Sequence, residues 1–366
     1  VIQYLPYIFI AAVAAAVAFC LTPFLSWLGE RQGLLDRPGV RSDRTVHLSP
    51  VPRLGGIAIF AGFAIAVALW LGLESPVVRG TLVGGFLIML LGLIDDLRPM
   101  SAKVKFLFQL AAALVLVLYG VKIEWLTNPL GGYIYLGNWG LPLTVFWVVA
   151  MVNVVNLIDG LDGLAAGVSS IAALTLLLVA LQEGQTTVVF LSAALAGATL
   201  GFLPFNFNPA RIFMGDSGAL FLGYVLAAVS IEGAIKSAAA VGLAVPVLAL
   251  GLPIADTFFA IMRRSRNGRP VYSADKGHLH HRLLALGLNH RQTVVIMYCI
   301  SGFLGMSAIA LSEVQALYAL GLIAALMVGM YVGGKRVGVL DNLEVSATAE
   351  DATGTETAKT SSTSCE

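Results

Sequence analysis

Charge is what this chain has least of. Only 12% of its 366 residues are Asp, Glu, Lys or Arg, while 58% are hydrophobic. Soluble domains carry about 25% charged residues, so the composition excludes an ordinary soluble globule and specifies an integral membrane protein. Cysteine is also scarce. Cys20, Cys299 and Cys365 stand too far apart for a disulfide framework or a metal knuckle. The formal net charge of +1 hides a segregation of charges, and no nucleic-acid partner is expected. A cleaved signal peptide is excluded too, because the first apolar run is too long and too closely followed by others.

What the chain has instead is apolar runs. A crossing needs roughly 17–25 apolar residues, and the sequence predicts spans at 5–28, 54–73, 80–94, 104–120, 142–158, 164–182, 188–204, 218–235, 238–262, 293–312 and 315–333. The third is short; the ninth is long and interrupted by Pro246 and Pro253. The fold expected is therefore an all-α polytopic membrane protein of eleven transmembrane helices. Nineteen of the 22 Lys and Arg fall on one set of loops and the tail, leaving Arg79, Lys122 and Lys236 opposite. By the positive-inside rule the N-terminus is outside and the C-terminus cytoplasmic, in the plasma (inner) membrane of a cell. A catalytic domain over 1–334 precedes a disordered cytoplasmic tail over 335–366, whose residues from 341 on lack apolar periodicity. The outer loop 121–141, with Gly131-Gly132 before Tyr133-Ile134-Tyr135, reads as a small hairpin with interfacial aromatics.

Aspartate is one-sided as well. Asp36, Asp43, Asp95, Asp96, Asp159, Asp162, Asp216, Asp256 and Asp275 all lie on or near the cytoplasmic face, and the outer loops carry Glu but no Asp. Acids at membrane depth mark function. Asp95-Asp96 closes the third span; adjacent carboxylates repel, which suits a bound cation or a proton acceptor. Asn153, Asn156, Asp159 and Asp162 recur every third residue, a spacing that winds slowly round one helix face, and Gly160 and Gly163 loosen the helix there. Such hard oxygen ligands suit Mg²⁺ or Mn²⁺. Asp216, in Phe213-Met214-Gly215-Asp216-Ser217-Gly218, reads as a helix N-cap or as an acid beside an anion-binding helix start. Three imidazoles beside a guanidinium in His278-Leu279-His280-His281-Arg282 suit a pyrophosphate. Lys105 and Gln109 lie one turn apart near the acid pair, with Lys105 able to neutralise it, contact phosphate or snorkel. Arg37, Arg41, Arg44, His47 and Arg53 form a further basic surface, and Arg263, Arg264 and Arg266 fit an anchor at the membrane face. Together these predict phosphoryl chemistry between a soluble and a lipid partner at the cytoplasmic face. A secondary transporter is the non-enzymatic rival, but its coupling residues would sit near the bilayer midplane.

The motifs Pro52-Arg53-Leu54-Gly55-Gly56, Leu93-Ile94-Asp95-Asp96, Asn156 to Gly163, Phe213 to Gly218 and His278 to Arg282 together resemble the polyprenyl-phosphate N-acetylhexosamine-1-phosphate transferases, of the glycosyltransferase 4 type. The resemblance implies transfer of a sugar-1-phosphate from a UDP-sugar to undecaprenyl or dolichyl phosphate, with Mg²⁺ and release of UMP. His-x-His-His-Arg is similar to the WecA/TagO branch, which uses UDP-N-acetylglucosamine; the alternative, the phospho-N-acetylmuramoyl-pentapeptide transferase branch, typically has three consecutive His. The expected partners are UDP-N-acetylglucosamine, undecaprenyl phosphate, membrane lipid and a second copy in a homodimer. The expected role is the first step of lipid-linked envelope glycan synthesis, of the lipopolysaccharide or teichoic acid kind.

By the same resemblance, Asp216 and Asn156 are metal ligands and Asp95 and Asp96 the pair that supplies a base, with Lys105 catalytic beside them. Asp159 is taken with the catalytic acids. Asp162, Asn206 and Phe213 correspond to positions that hold uracil, the last by stacking. His281 and Arg282, with His278 and His280 in the same segment, contact the diphosphate or sugar. Asp159-Gly160 and Gly163 also fit the start of the CDP-alcohol phosphotransferase motif, but Leu164-Ala165-Ala166-Gly167 follows and excludes that class.

Overall fold

A computed structural model describes residues 4–36, 50–127, 132–236, 244–268, 277–313, 316–336 and 338. Arg37, Arg41, Asp43, Arg44, His47, Gly131, Arg269, Asp275, Lys276 and the tail beyond 338 lie outside the described residues.

Each expected span overlaps helix among the described residues; residues 238–243 of the ninth and 315 of the eleventh lie outside them. The order is α1 (Leu5–Gln32), α2 (Gly55–Leu71), α3 (Pro76–Leu97), α4 (Ala102–Leu118), α5 (Gly140–Ile158), α6 (Leu164–Gln182), α7 (Thr186–Asn206), α8 (Gly215–Lys236), α9 (Ala244–Ala249), α10 (Gly251–Arg266), α11 (Leu279–Ala285), α12 (His290–Glu313) and α13 (Ala316–Arg336). Among the described residues seven helices are long and apolar enough to cross a membrane: α1, α3, α5 with the turn before it, α6, α7, α8 and α12. The chain is an all-α polytopic membrane protein. Two short ribbons complete it. Strands β1 (Leu35–Asp36) and β2 (Val51–Pro52) pair antiparallel, as do β3 (Trp125–Thr127) and β4 (Tyr133–Tyr135), where a small hairpin is expected.

Two spans differ from their hydropathy outlines. The third is full length, because Pro76 opens the helix where its missing N–H costs nothing and Arg79 is carried inside it. The ninth is two helices broken at Leu250, with Pro246 in the first and Pro253 in the opening turn of the second.

Helix α8 is the axis. Its apolar window is 89% buried, enclosed by α3 and α5 and flanked by α2, α6 and α7, while α1 packs on α7 and α12 on α6. The outer faces are apolar too: Leu69, Leu107, Leu118, Phe146 and Phe303 are exposed. A surface of that kind suits lipid as its solvent. The fold thereby gathers the ends of α3 and α5 and the starts of α4 and α8 at one end of the bundle.

Candidate active site

The junction of α3 with α8 is built first by what is missing at Gly92. A Cβ there would lie within 2.5 Å of the Asp216 carbonyl group, so only glycine lets the last turn of α3 press against the first turn of α8. That approach brings Asp96 under the helix start. Its two carboxylate oxygens accept the backbone N–H groups of Asp216 at 3.0 Å and Ser217 at 3.1 Å. A carboxylate at a helix N-terminus satisfies orphan donors and meets the positive end of the macrodipole. The sequence offered Asp216 as the N-cap; the helix starts one residue earlier, at Gly215, and a side chain 120 residues away does the capping.

Asp216, freed from capping, points across the junction. Its carboxylate accepts Lys105 Nζ at 3.0 Å and Asn156 Nδ2 at 3.2 Å. Lys105 Nζ also lies 2.5 Å from Asp95 Oδ2, so one ammonium from α4 bridges two carboxylates from α3 and α8. The other Asp95 oxygen accepts the Met100 N–H at 2.7 Å. Arg53 Nη2 pairs with Asp36 at 2.5 Å, and its Nη1 stands 4.0 Å from Asp96. Burial opposes the charge on Arg53, but Asp36 and Asp96 outweigh it and raise its pKa. Asp95, Asp96, Lys105, Asn156 and Asp216 therefore form one constellation.

The turn after α5 holds the rest of the acids. Helix α5 ends at Ile158, so the three-residue stripe divides: Asn153 and Asn156 are helical, and Asp159 and Asp162 lie in the turn. Asn153 exchanges amide bonds with Gln109 of α4 at 2.8 and 3.4 Å; both amides are satisfied locally. Burial, and then the charge of Asp216, push the Asp159 carboxyl up to about 7. No donor among the described residues is bonded to that carboxylate. Asp162 instead accepts Asn208 Nδ2 at 2.9 Å and the Ala210 N–H at 3.1 Å, while its own N–H donates to His290 Nε2. Asn206 spends its amide on backbone, accepting from Gly163 and donating to Ile212. Phe213 bonds through its main chain: its N–H donates to Pro52 and its carbonyl accepts from Gly55. The Pro52 to Gly56 motif is thus a backbone partner of the segment that carries Asp216.

The histidine motif is brought to the same turn. His280 is 1% exposed and its ring sits against Gly160, where a Cβ would meet Nε2 at 2.5 Å. Neither His280 ring nitrogen has a hydrogen-bond partner among the described residues. Burial, with His281 beside it at 4.1 Å between ring centres, lowers its pKa to about 3, so the ring is neutral at physiological pH. His278 bonds through Nδ1 to Asp256 of α10 at 2.8 Å, and Arg282 is buried on α11.

The donor set fits a hard divalent cation. Carboxylate and amide oxygens are its preferred ligands, and the four acids Asp95, Asp96, Asp159 and Asp216 outnumber the cations Lys105 and Arg53 that face them. Among the described residues no three His, Cys, Asp or Glu are arranged to hold a metal by themselves. A Mg²⁺ ion needs one or two protein carboxylates, with waters and substrate phosphates completing its shell. Asn156 presents Nδ2 to Asp216; as a ligand it would turn its amide over and offer Oδ1.

The family model for glycosyl transferase family 4 matches residues 78–234, from α3 into α8. A Bacillus subtilis relative named as a probable undecaprenyl-phosphate N-acetylglucosaminyl 1-phosphate transferase is 41% identical over 331 residues, covering 90% of this chain and 91% of its own. The chain belongs to this family. A Mycobacterium tuberculosis decaprenyl-phosphate N-acetylglucosaminephosphotransferase is 38% identical, covering 82% of this chain and 81% of its own length. The Escherichia coli undecaprenyl-phosphate alpha-N-acetylglucosaminyl 1-phosphate transferase is 25% identical, with 75% of each chain covered.

In this family member, sequence reading picked out Asp36, Arg53, Asp256 and His290 only as members of acidic or basic surfaces; it missed that Asp36 and Arg53 pair, that Asp256 sits under the histidine motif, and that His290 reaches the acid turn. Arg53 had one signal, its place inside a motif. Asp256 had another, as an acid inside a proline-broken apolar run. Neither signal names a partner.

Proposed function

We propose that this protein transfers N-acetylglucosamine-1-phosphate from UDP-N-acetylglucosamine to undecaprenyl phosphate and releases UMP, the first step of a lipid-linked envelope glycan. The observation that carries it is one ammonium, Lys105, bridging Asp95 and Asp216 at one end of the bundle, with the histidine motif packed on the adjoining acid turn. The names of the relatives support the sugar and the polyprenyl acceptor, and disfavour the muramoyl-pentapeptide alternative.

An oxygen of the acceptor phosphate attacks the sugar-bearing phosphorus, and the bond to the UMP phosphate breaks. Both partners are anions, so the site has to neutralise before it can react. Asp216 and Asn156 would hold Mg²⁺, which supplies charge screening and polarises the phosphoryl oxygens. Lys105 holds Asp95 and Asp216 together and presents its ammonium where phosphate arrives. Asp96 has both oxygens committed to the α8 backbone and acts as an organiser; Asp95, with Oδ1 on the Met100 N–H and Oδ2 on the movable Lys105 ammonium, is the acid that would accept a proton from an acceptor monoanion as Lys105 turns to the phosphate. Asp159, with no donor among the described residues and its carboxyl pushed up by burial to about 7, is the second acid able to carry a proton. His278, His280, His281 and Arg282 face the diphosphate and sugar, and Asp162, Asn206 and Phe213 shape the uracil end.

The same reading places the site at the cytoplasmic face of the plasma membrane, with eleven spans, the N-terminus outside and the catalytic domain over 1–334. Its support is the segregation of nineteen of the 22 Lys and Arg, and the gathering of the acids at helix ends on that side. The test is UMP release by purified protein given undecaprenyl phosphate, Mg²⁺ and a panel of UDP-sugars. Turnover with UDP-N-acetylglucosamine at least tenfold above the others is expected; preference for UDP-muramoyl-pentapeptide overturns the sugar assignment.

A further inference from the structure

We propose that Asp256 is a positioning residue of this site: it sets the ring of His278 and, through it, the pose in which the histidine–arginine segment meets the donor's diphosphate. This rests on the transferase reading above.

Asp256 comes from the middle of α10 and is 4% exposed, as is His278. Burying a carboxylate is costly unless its oxygens are bonded, and here both are. Oδ1 accepts the Leu279 N–H at 2.8 Å, and Oδ2 lies 2.8 Å from His278 Nδ1. Capping the first turn of α11 needs only the Leu279 bond. The second bond does something a cap does not, because it chooses the ring's tautomer and direction. With a carboxylate at Nδ1 the proton sits there, and Nε2 becomes the edge left for a ligand.

The orientation is passed on. The His278 ring lies parallel to that of His280, 5.7 Å between centres and 8° between planes, and His280 in turn packs on Gly160 of the turn that carries Asp159. One residue before His278, the position of a Cβ on Gly277 lies within 2.6 Å of Arg263 Nε, so a second α10 side chain closes over the segment's entry. Helix α10 thus grips the motif at 277–279 and aims it at the acid turn.

The experiment uses UDP as the probe, by calorimetry on the full-length protein in detergent, with KM and kcat measured beside it. Asp256→Asn keeps an acceptor for Leu279 but offers an N–H to Nδ1, which drives the ring proton to Nε2. The expected result is UDP affinity and donor KM weakened ~10–100-fold, by analogy with removing the carboxylate that orients a metal-ligating histidine, with the undecaprenyl phosphate KM unchanged. Adding His278→Ala should then cost less than a further twofold. Wild-type UDP affinity in Asp256→Asn, or losses that multiply in the double variant, overturns the proposal. If Asp256→Asn does not fold, His278→Ala alone decides, since it keeps the cap; normal UDP binding there is the refuting result. A wild type that binds UDP yet transfers no sugar overturns the transferase reading and leaves the positioning test intact, whereas a wild type that does not bind UDP overturns both.

Discussion

Gly92→Ala is the sharpest test of how the site is assembled. The added methyl would stand about 2.5 Å from the Asp216 carbonyl, and ordinary contact begins near 3.4 Å, so α3 and α8 must part by roughly 0.9 Å. Nothing flexible can yield, because the neighbours are main chain. The Asp96 bonds to the Asp216 and Ser217 N–H groups, now 3.0 and 3.1 Å, would lengthen to about 4 Å, beyond hydrogen-bond range. Overpacking of this kind costs ~1–3 kcal/mol, and a misplacement near 1 Å can cost ~10²-fold in rate. The assay is UMP release at saturating substrates together with thermal unfolding in detergent. Gly302→Ala on α12 is the control, since a Cβ there meets nothing within 4 Å. A Gly92→Ala protein as stable and as active as the control would show that the close α3–α8 approach does not organise the site.

Asp216→Asn should insert and fold yet lose most turnover, with residual activity shifted to higher Mg²⁺; EDTA should abolish wild-type activity and Mg²⁺ or Mn²⁺ restore it. Unchanged turnover, or activity that survives EDTA, refutes the metal assignment. Asp159 titrates near 7 in the folded protein and at its ordinary 3.8 when unfolded. The folded state therefore holds an extra proton between those values, and the metal-free protein should lose stability as pH rises from about 4 to 7. Asp159→Asn should flatten that slope, and identical melting-against-pH curves for the two proteins would refute it. A reporter fused after residue 340 should read cytoplasm and one near Glu183 the exterior; the reverse pattern would overturn the orientation.

By itself the sequence determined the medium, the helices and the family. Hydropathy is a local property, so a run such as 164–182 announces α6 to the residue, and the five motifs identify the chemistry because each is contiguous. What lay beyond it was every relation between elements distant along the chain. Hydropathy cut the third span short at a single arginine and merged α9 with α10, because it weighs residues and not backbone donors. The step-of-three spacing from Asn153 to Asp162 read as one stripe, but the helix ends at Ile158 and sends Asn153 to Gln109 and Asp162 to the segment after α7. Only the tertiary structure decided that Asp96 caps α8, that Lys105 bridges Asp95 and Asp216, and that Asp256 holds His278. Those pairings depend on how closely helices approach and how each is rotated about its axis. Residues such as Gly92 set that approach through what they lack, which no count of charges or apolar runs registers.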